Sequence, residues 1–196
     1  MEDKQRYDDQ TFRQVQASGQ AWQGITFDQC QFIDCDFSEI QWHRCVFIDC
    51  QFLRCNLNLA QLGFSQFREV AFEHCRMLGL DWTRVNWPRL VPFAPIRFDQ
   101  CLLSESSFAG LKLNGLQMVE CKAHNVDFQQ GHFVEADFQH SDFSGSIFHQ
   151  SNLTLANFAE AQNYRINLYD NTLSGARFTR FDALGLLEDL DIELLD

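Results

Sequence analysis

The sequence predicts a solenoid built from short repeated blocks, and two periods carry that prediction. The first is a period of five. From Val126 to Phe158 the middle residue of every block is Phe or Leu: Phe128, Phe133, Phe138, Phe143, Phe148, Leu153 and Phe158. Two places before each of these sits a smaller residue: Val126, Gly131, Ala136, Ser141, Ser146, Ser151 and Ala156. Five is neither the 3.6 of a helix nor the 2.0 of a strand, so the pattern reads as internal repetition. The second period is twenty. Trp22, Trp42 and Trp82 differ by multiples of 20, and Cys30/Cys50, Cys35/Cys55/Cys75 and Cys101/Cys121 are each 20 apart. Four blocks per coil would stack like residues on one side.

Residues 1–20 read as an N-terminal cap. Phe12 and Ala17 are in phase, but Gln10 and Gln20 hold the small slot, and the open end of a solenoid needs a polar cover. From Trp22 to Trp87 all 14 block centres are apolar. The run breaks over 88–97, PRLVPFAPIR, which holds all three prolines of the chain. Proline fixes φ and gives up a ladder donor, so this stretch should leave the wall as a loop or bulge, with Arg89, Leu90 and Phe93 as candidate contact residues. Phase resumes at Phe98, eleven residues after Trp87, which implies one inserted residue. From Phe98 to Phe178, 16 of 17 centres are apolar, and the exception, Asn163, marks a place where the coil should loosen. The two runs make 31 blocks, just under eight coils, a rod about 37 Å long at about 4.8 Å per coil.

Residues 181–196, FDALGLLEDLDIELLD, abandon the period of five. Ala183, Leu184, Leu187 and Leu190 suit one helical stripe, with Asp182 as N-cap. Ile192, Leu194 and Leu195 follow as an apolar tail. The segment is expected to cap the last coil, with leucines to spare for a second copy.

Blocks such as ADFQH, SNLTL and ANFAE resemble the A-(D/N)-(L/F)-x-x unit of the pentapeptide-repeat family. The resemblance runs from about Trp22 to Phe178. It implies an all-β fold, a right-handed quadrilateral parallel β-helix over 21–180, with the block centre and the small residue pointing inward. The interruption at 88–97 and the segment from Asn163 onward are similar to the quinolone-resistance (Qnr), MfpA and McbG-like members. Their likeness implies a homodimer joined at the C-terminus through Leu184, Leu187, Leu190, Ile192 and Leu194. It further implies a DNA-mimicking protein that binds DNA gyrase or topoisomerase IV and protects it from quinolones or other poisons. The alternative is a generic interaction scaffold with another partner.

Charge and composition narrow the chemistry. The net charge is −12, and residues 181–196 supply six acids and no base. Direct binding of nucleic acid is disfavoured, because neutralising phosphates needs a basic stripe; a protein partner is favoured instead. From Ala123 to Tyr164 there are five acids, Asp127, Glu135, Asp137, Asp142 and Glu160, and no Lys or Arg. This acidic band is the candidate partner-binding site. All eight cysteines fall in the small inward slot, where a free thiol behaves as a small hydrophobe, so reduced core packing is expected rather than disulfides or zinc. His43, His74, His124, His132, His140 and His149 fall at outward places and read as scattered solvated surface. No GxSxG, P-loop, GxGxxG or HExxH occurs, so no catalytic residue, metal or cofactor is expected. The N-terminus lacks an apolar run and no stretch approaches a membrane span, so the expected location is the cytoplasm.

Overall fold

Backbone pairing between residues twenty apart winds the chain into an all-parallel β-solenoid of about eight turns with almost no helix. The computed structural model describes residues 6–88, 93–187, 190 and 192. The first wall pairs Arg6–Asp8, Thr26–Asp28, Val46–Ile48 and Gln66–Arg68, with Tyr7, Phe27, Phe47 and Phe67 in register. The second pairs Thr11–Arg13, Gln31–Ile33, Gln51–Leu53, Val70–Glu73, Ile96–Asp99 and Gln117–Val119. The third wall is a file of single bridges, Gln16 to Asp36, Asn56, Arg76, Leu102, Lys122 and Asp142. The fourth begins with Ala21–Gln23 on Gln41–His43 and continues through bridges such as Ser107 to Asp127 and Asp127 to Ile147.

Corners between walls need a left-handed residue, and these recur every five positions, as at Gln29, Asp34, Glu39, Arg44 and Asp49, all with φ between 49 and 56°. A non-glycine residue tolerates that region at a cost of about 1 kcal/mol or more. Three bulky residues, Leu59, Phe64 and Leu155, accept it as well.

Inside, like rings stack from coil to coil and meet neighbouring walls edge-on. Phe32 and Phe52 lie 4.6 Å apart at 13°, and Phe128 sits between Phe108 at 5.5 Å and Phe148 at 4.8 Å, nearly parallel to both. Phe27 meets Phe32 across the corner at 76°. Both arrangements suit the aromatic quadrupole.

All eight cysteines are buried and free. Five of them form one file behind the third wall. The Cys55 N–H donates to Cys75 Sγ, that of Cys75 to Cys101 Sγ, and that of Cys101 to Cys121 Sγ, each at 3.4 Å. The thiols of Cys35, Cys55, Cys75 and Cys101 each donate to the carbonyl of an aromatic centre one coil back, as Cys55 does to Phe32 O at 3.3 Å, while Cys121 donates to Val119 O at 3.2 Å. Burial pushes the Cys50 thiol up to about 12 and the Cys75 and Cys121 thiols well above their ordinary value.

Four expectations need correction. Residues 6–20 form the first regular coil rather than a separate cap, since Tyr7 pairs with Phe27 and Phe12 with Phe32. The interruption inserts six residues, not one: Val70 pairs with Ile96 and Arg76 with Leu102, 26 residues on. A whole block plus one residue leaves the wall, and a period of five registers only the remainder. At Asn163 the coil slips rather than loosens. Phe148 bridges Ile166, 18 residues on, before Asn152 regains Thr172 at 20. Asn163 takes the corner at φ 56° while Tyr164 turns inward, 5.5 Å from both Phe158 and Phe178. Finally, Asp182–Leu187 is a 3-10 helix. Its three-residue period turns Leu186 onto the core and leaves Leu184 out, 51% exposed.

The thiol arrangement makes a direct prediction. In native protein kept without reductant, none of the eight cysteines should react with iodoacetamide within minutes, and all eight should react in guanidinium chloride. Fewer than eight labels on the unfolded chain, counted by intact mass, would mean that disulfides had replaced the file.

Candidate partner-binding surface

The five acids of the band occupy different sides of the rod. Asp127 stands on the fourth wall between Ser107 and Ile147, Asp137 pairs with Gln117 and Asn157 on the second, and Asp142 lies between Lys122 and Gln162 on the third. Glu135 and Glu160 hold left-handed corners at φ 58 and 57°. The band therefore rings the rod over about two coils and has no single acidic face.

The three aspartates immediately precede block centres and are fastened locally. Asp127 Oδ1 accepts the Gln129 N–H at 2.9 Å. Asp137 accepts the Gln139 N–H at 3.3 Å, Gln139 Nε2 at 2.8 Å and Asn157 Nδ2 at 3.1 Å. Asp142 accepts the Ser144 N–H at 3.0 Å, Ser144 Oγ at 2.8 Å and Asn163 Nδ2 at 2.8 Å. Burial alone would raise the Asp142 carboxyl, but hydrogen bonds from Asn163, Ser144 and His124 outweigh it and hold the pKa at about 2. These carboxylates are set in position by the turn that follows each of them.

Sequence reasoning missed the histidines that share this zone. His124 Nε2 lies 2.8 Å from Asp142 Oδ2, His140 Nδ1 3.2 Å from Glu160 Oε2, and His149 Nδ1 2.6 Å from Asp170 Oδ2. They are not scattered surface. The signal was available as separations of about one coil, 18 to 21 residues, once the twenty-residue period is applied to polar positions.

Of the loop residues, Arg89 and Leu90 lie outside the described residues. Phe93 is 58% exposed and lies over Gly115, whose missing side chain leaves it room; a Cβ there would fall 2.6 Å from the ring. With Glu69, Val70, Ile96, Arg97 and Gln117 it borders a groove of about 240 Å³ at the foot of the loop. At the C-terminal end Phe181 is 79% exposed, Leu184 and Ile192 are exposed, and Leu187 and Leu190 are half-buried; Leu194 lies outside the described residues. Tyr164 closes the last coil, its phenol pushed up to about 12 by burial and then by Asp182. Among the described residues no group of three or more His, Cys, Asp or Glu is placed to hold a metal, and no helix is long and apolar enough to cross a membrane.

The Asp142 network sets a pH dependence. Its folded pKa lies below the unfolded value, so its contribution to stability is present above the ordinary carboxylate range and is lost as pH falls toward about 2. Side-chain carboxyl NMR should show Asp142 titrating well below the ordinary carboxylate range, at about 2. Asn163→Ala should move its midpoint upward, and an unmoved midpoint would mean that Asn163 does not hold the carboxyl down.

Two profiles of one family match the sequence, the pentapeptide repeat region over 25–93 and pentapeptide repeats, eight copies, over 124–159. Together they cover just over half of the chain. No curated protein matches. Among solved structures, a trypsin-treated variant of QnrB1, a plasmid-mediated fluoroquinolone resistance protein, is 18% identical; the match covers 97% of each chain with a TM-score of 0.72. A second trypsin-treated QnrB1 variant, also 18% identical, matches over 97% of this chain and 99% of its own at 0.66. HetL, a pentapeptide repeat protein involved in heterocyst differentiation regulation from the cyanobacterium Nostoc sp. strain PCC 7120, is 15% identical. It matches over 87% of this chain and 84% of its own, at 0.60. At these identities the structures share a fold with this chain, and with the two profile matches and the register described above, the chain belongs to the pentapeptide-repeat family.

Proposed function

We propose that this protein acts by contact and without turnover, as a rod that imitates a DNA duplex, engages DNA gyrase or topoisomerase IV, and protects it from quinolones or toxin-like poisons. The observation that carries this reading is the ring of carboxylates. Five acids without a Lys or Arg fall within about two coils. At about 4.8 Å per coil that is roughly one charge per 2 Å of axis, against about one per 1.7 Å for DNA. Charges on several sides of a rod suit a protein that normally grips a duplex from more than one side. End-to-end likeness to QnrB1 gives the reading further support, and Phe93 supplies an exposed contact beside the band's approach.

A second reading is a scaffold serving a different protein in regulation. HetL favours it, because the same fold there goes with a role in heterocyst differentiation regulation.

Supercoiling by purified gyrase in the presence of a quinolone separates the two. Added at near-stoichiometric amounts, the protein should restore supercoiling. Glu135→Lys and Glu160→Lys, on exposed corners, should weaken binding at low salt by about tenfold and flatten its salt dependence. No rescue and no binding with either enzyme would leave the scaffold reading.

We also propose that two copies join at the C-terminal end, where Phe181 and Leu184 stand exposed beside half-buried Leu187. Sedimentation should show a dimer that Leu184→Arg converts to monomer. A dimer indifferent to that change would place the joint elsewhere.

A further inference from the structure

The corner between the first and second walls carries a trough whose charges none of the readings above uses. Its corner residues follow coil by coil: Gln29, Asp49 and Glu69, left-handed at φ between 49 and 54°, then Pro95 and Gly115. Beside them the second wall runs Gln31, Gln51, Ala71, Arg97 and Gln117 in register. Ala71 stands where its neighbours carry glutamine or arginine, and its shorter side chain opens the wall. Two grooves of about 370 and 240 Å³ lie along this line and share Glu69 and Arg97. From Gln29 to Gly115 they span four coil steps, about 19 Å at about 4.8 Å per coil, the length of about six extended residues.

The chemistry changes along the trough. Phe93, set over Gly115, makes one end apolar together with Ala94 and Pro95. The middle is acidic. Asp49 and Glu69 are exposed on successive coils, and among the described residues neither makes an ion pair. The neighbouring cations are turned elsewhere: Arg68 donates to Gln66 Oε1 at 2.7 Å, and Arg97 lies 3.9 Å from Glu73 Oε1. Like charges on adjacent strands repel, and a cation set between them relieves that repulsion. A trough open along its length suits an extended segment rather than a small molecule, which binds in an enclosed cleft.

We propose that this trough docks an extended segment of about six residues from a partner protein, with Lys or Arg two places from an apolar residue. The cationic head sits between Asp49 and Glu69 and its aliphatic stem lies over Ala71. Pro95 is about 7 Å farther along the axis, the reach of two extended residues, whose side chains share a face. The apolar side chain therefore packs on Pro95 and the Phe93 ring. One coil beyond Gly115 the same corner carries Glu135, so the trough leads into the ring of carboxylates. The proposal requires no particular partner and stands independently of the topoisomerase reading.

Amide NMR titration of the full chain with the capped peptide Gly-Lys-Ser-Phe-Ser-Gly, at low salt, tests it. The amides of Glu69, Ala71 and Phe93 should shift, and the counterpart peptide with Glu in place of Lys should leave them still. Asp49→Lys with Glu69→Lys should weaken binding at least about tenfold, through lost attraction and added repulsion, and Phe93→Ala about threefold. Glu39→Lys with Glu105→Lys makes the same change of charge on the corner between the third and fourth walls, and should keep the affinity within about twofold. Unmoved trough amides in the parent chain would overturn the proposal. An equal loss in the two double variants would also overturn it, in favour of a general attraction between a cation and an acidic chain.

Discussion

Every coil of this rod holds the next through a backbone ladder that keeps residues twenty apart in register. Because each N–H of a wall must find a carbonyl one coil away, the inward side chains have no freedom to choose neighbours: Phe32 must meet Phe52, and Cys55 must meet Cys75. Stacked rings and filed thiols are consequences of that register. The dependence also runs the other way, since a block centre too polar to be buried disturbs the ladder around it, whereas the small centres Ala17 and Ala123 keep it. At Asn163 the chain answers by turning the residue out, bringing Tyr164 in and recovering register within one coil.

The same constraint explains what could be read from the sequence. Centres, small slots, coil length and the state of the cysteines follow from two periods, because the fold translates period directly into position. Departures are legible only as phase. Six inserted residues differ from one by a complete block, so the loop looked five residues shorter than it is, and the neighbouring pair Cys75 and Cys101 was invisible at a separation of 26. The C-terminal segment failed for another reason. A stripe drawn for 3.6 residues per turn selects Leu184 and Leu187, whereas the 3-10 helix that forms selects Leu186.

Outward chemistry is less legible still, because a period of five assigns residues to walls but not to partners. Asp127, Asp137 and Asp142 are equivalent in their blocks and yet lie on three walls. The histidines paired with carboxylates become visible only when the coil period is applied to polar positions. The rod thus presents distinct surfaces at nearly fixed positions: a ring of carboxylates, a loop foot with an exposed Phe93 and an apolar end.

One register runs from Arg6 to Gln162, and the interruption at 88–97 is a pure insertion into it. Deleting residues 88–93 tests this most directly, because it would shorten the 26-residue coil to 20. A continuous register predicts a cooperatively unfolding rod, with a melting midpoint within about 5 °C of the parent and all eight thiols still protected. A chain that aggregates, melts without cooperativity or exposes Cys75 and Cys101 would show that the loop holds the two halves together, and would contradict a continuous register.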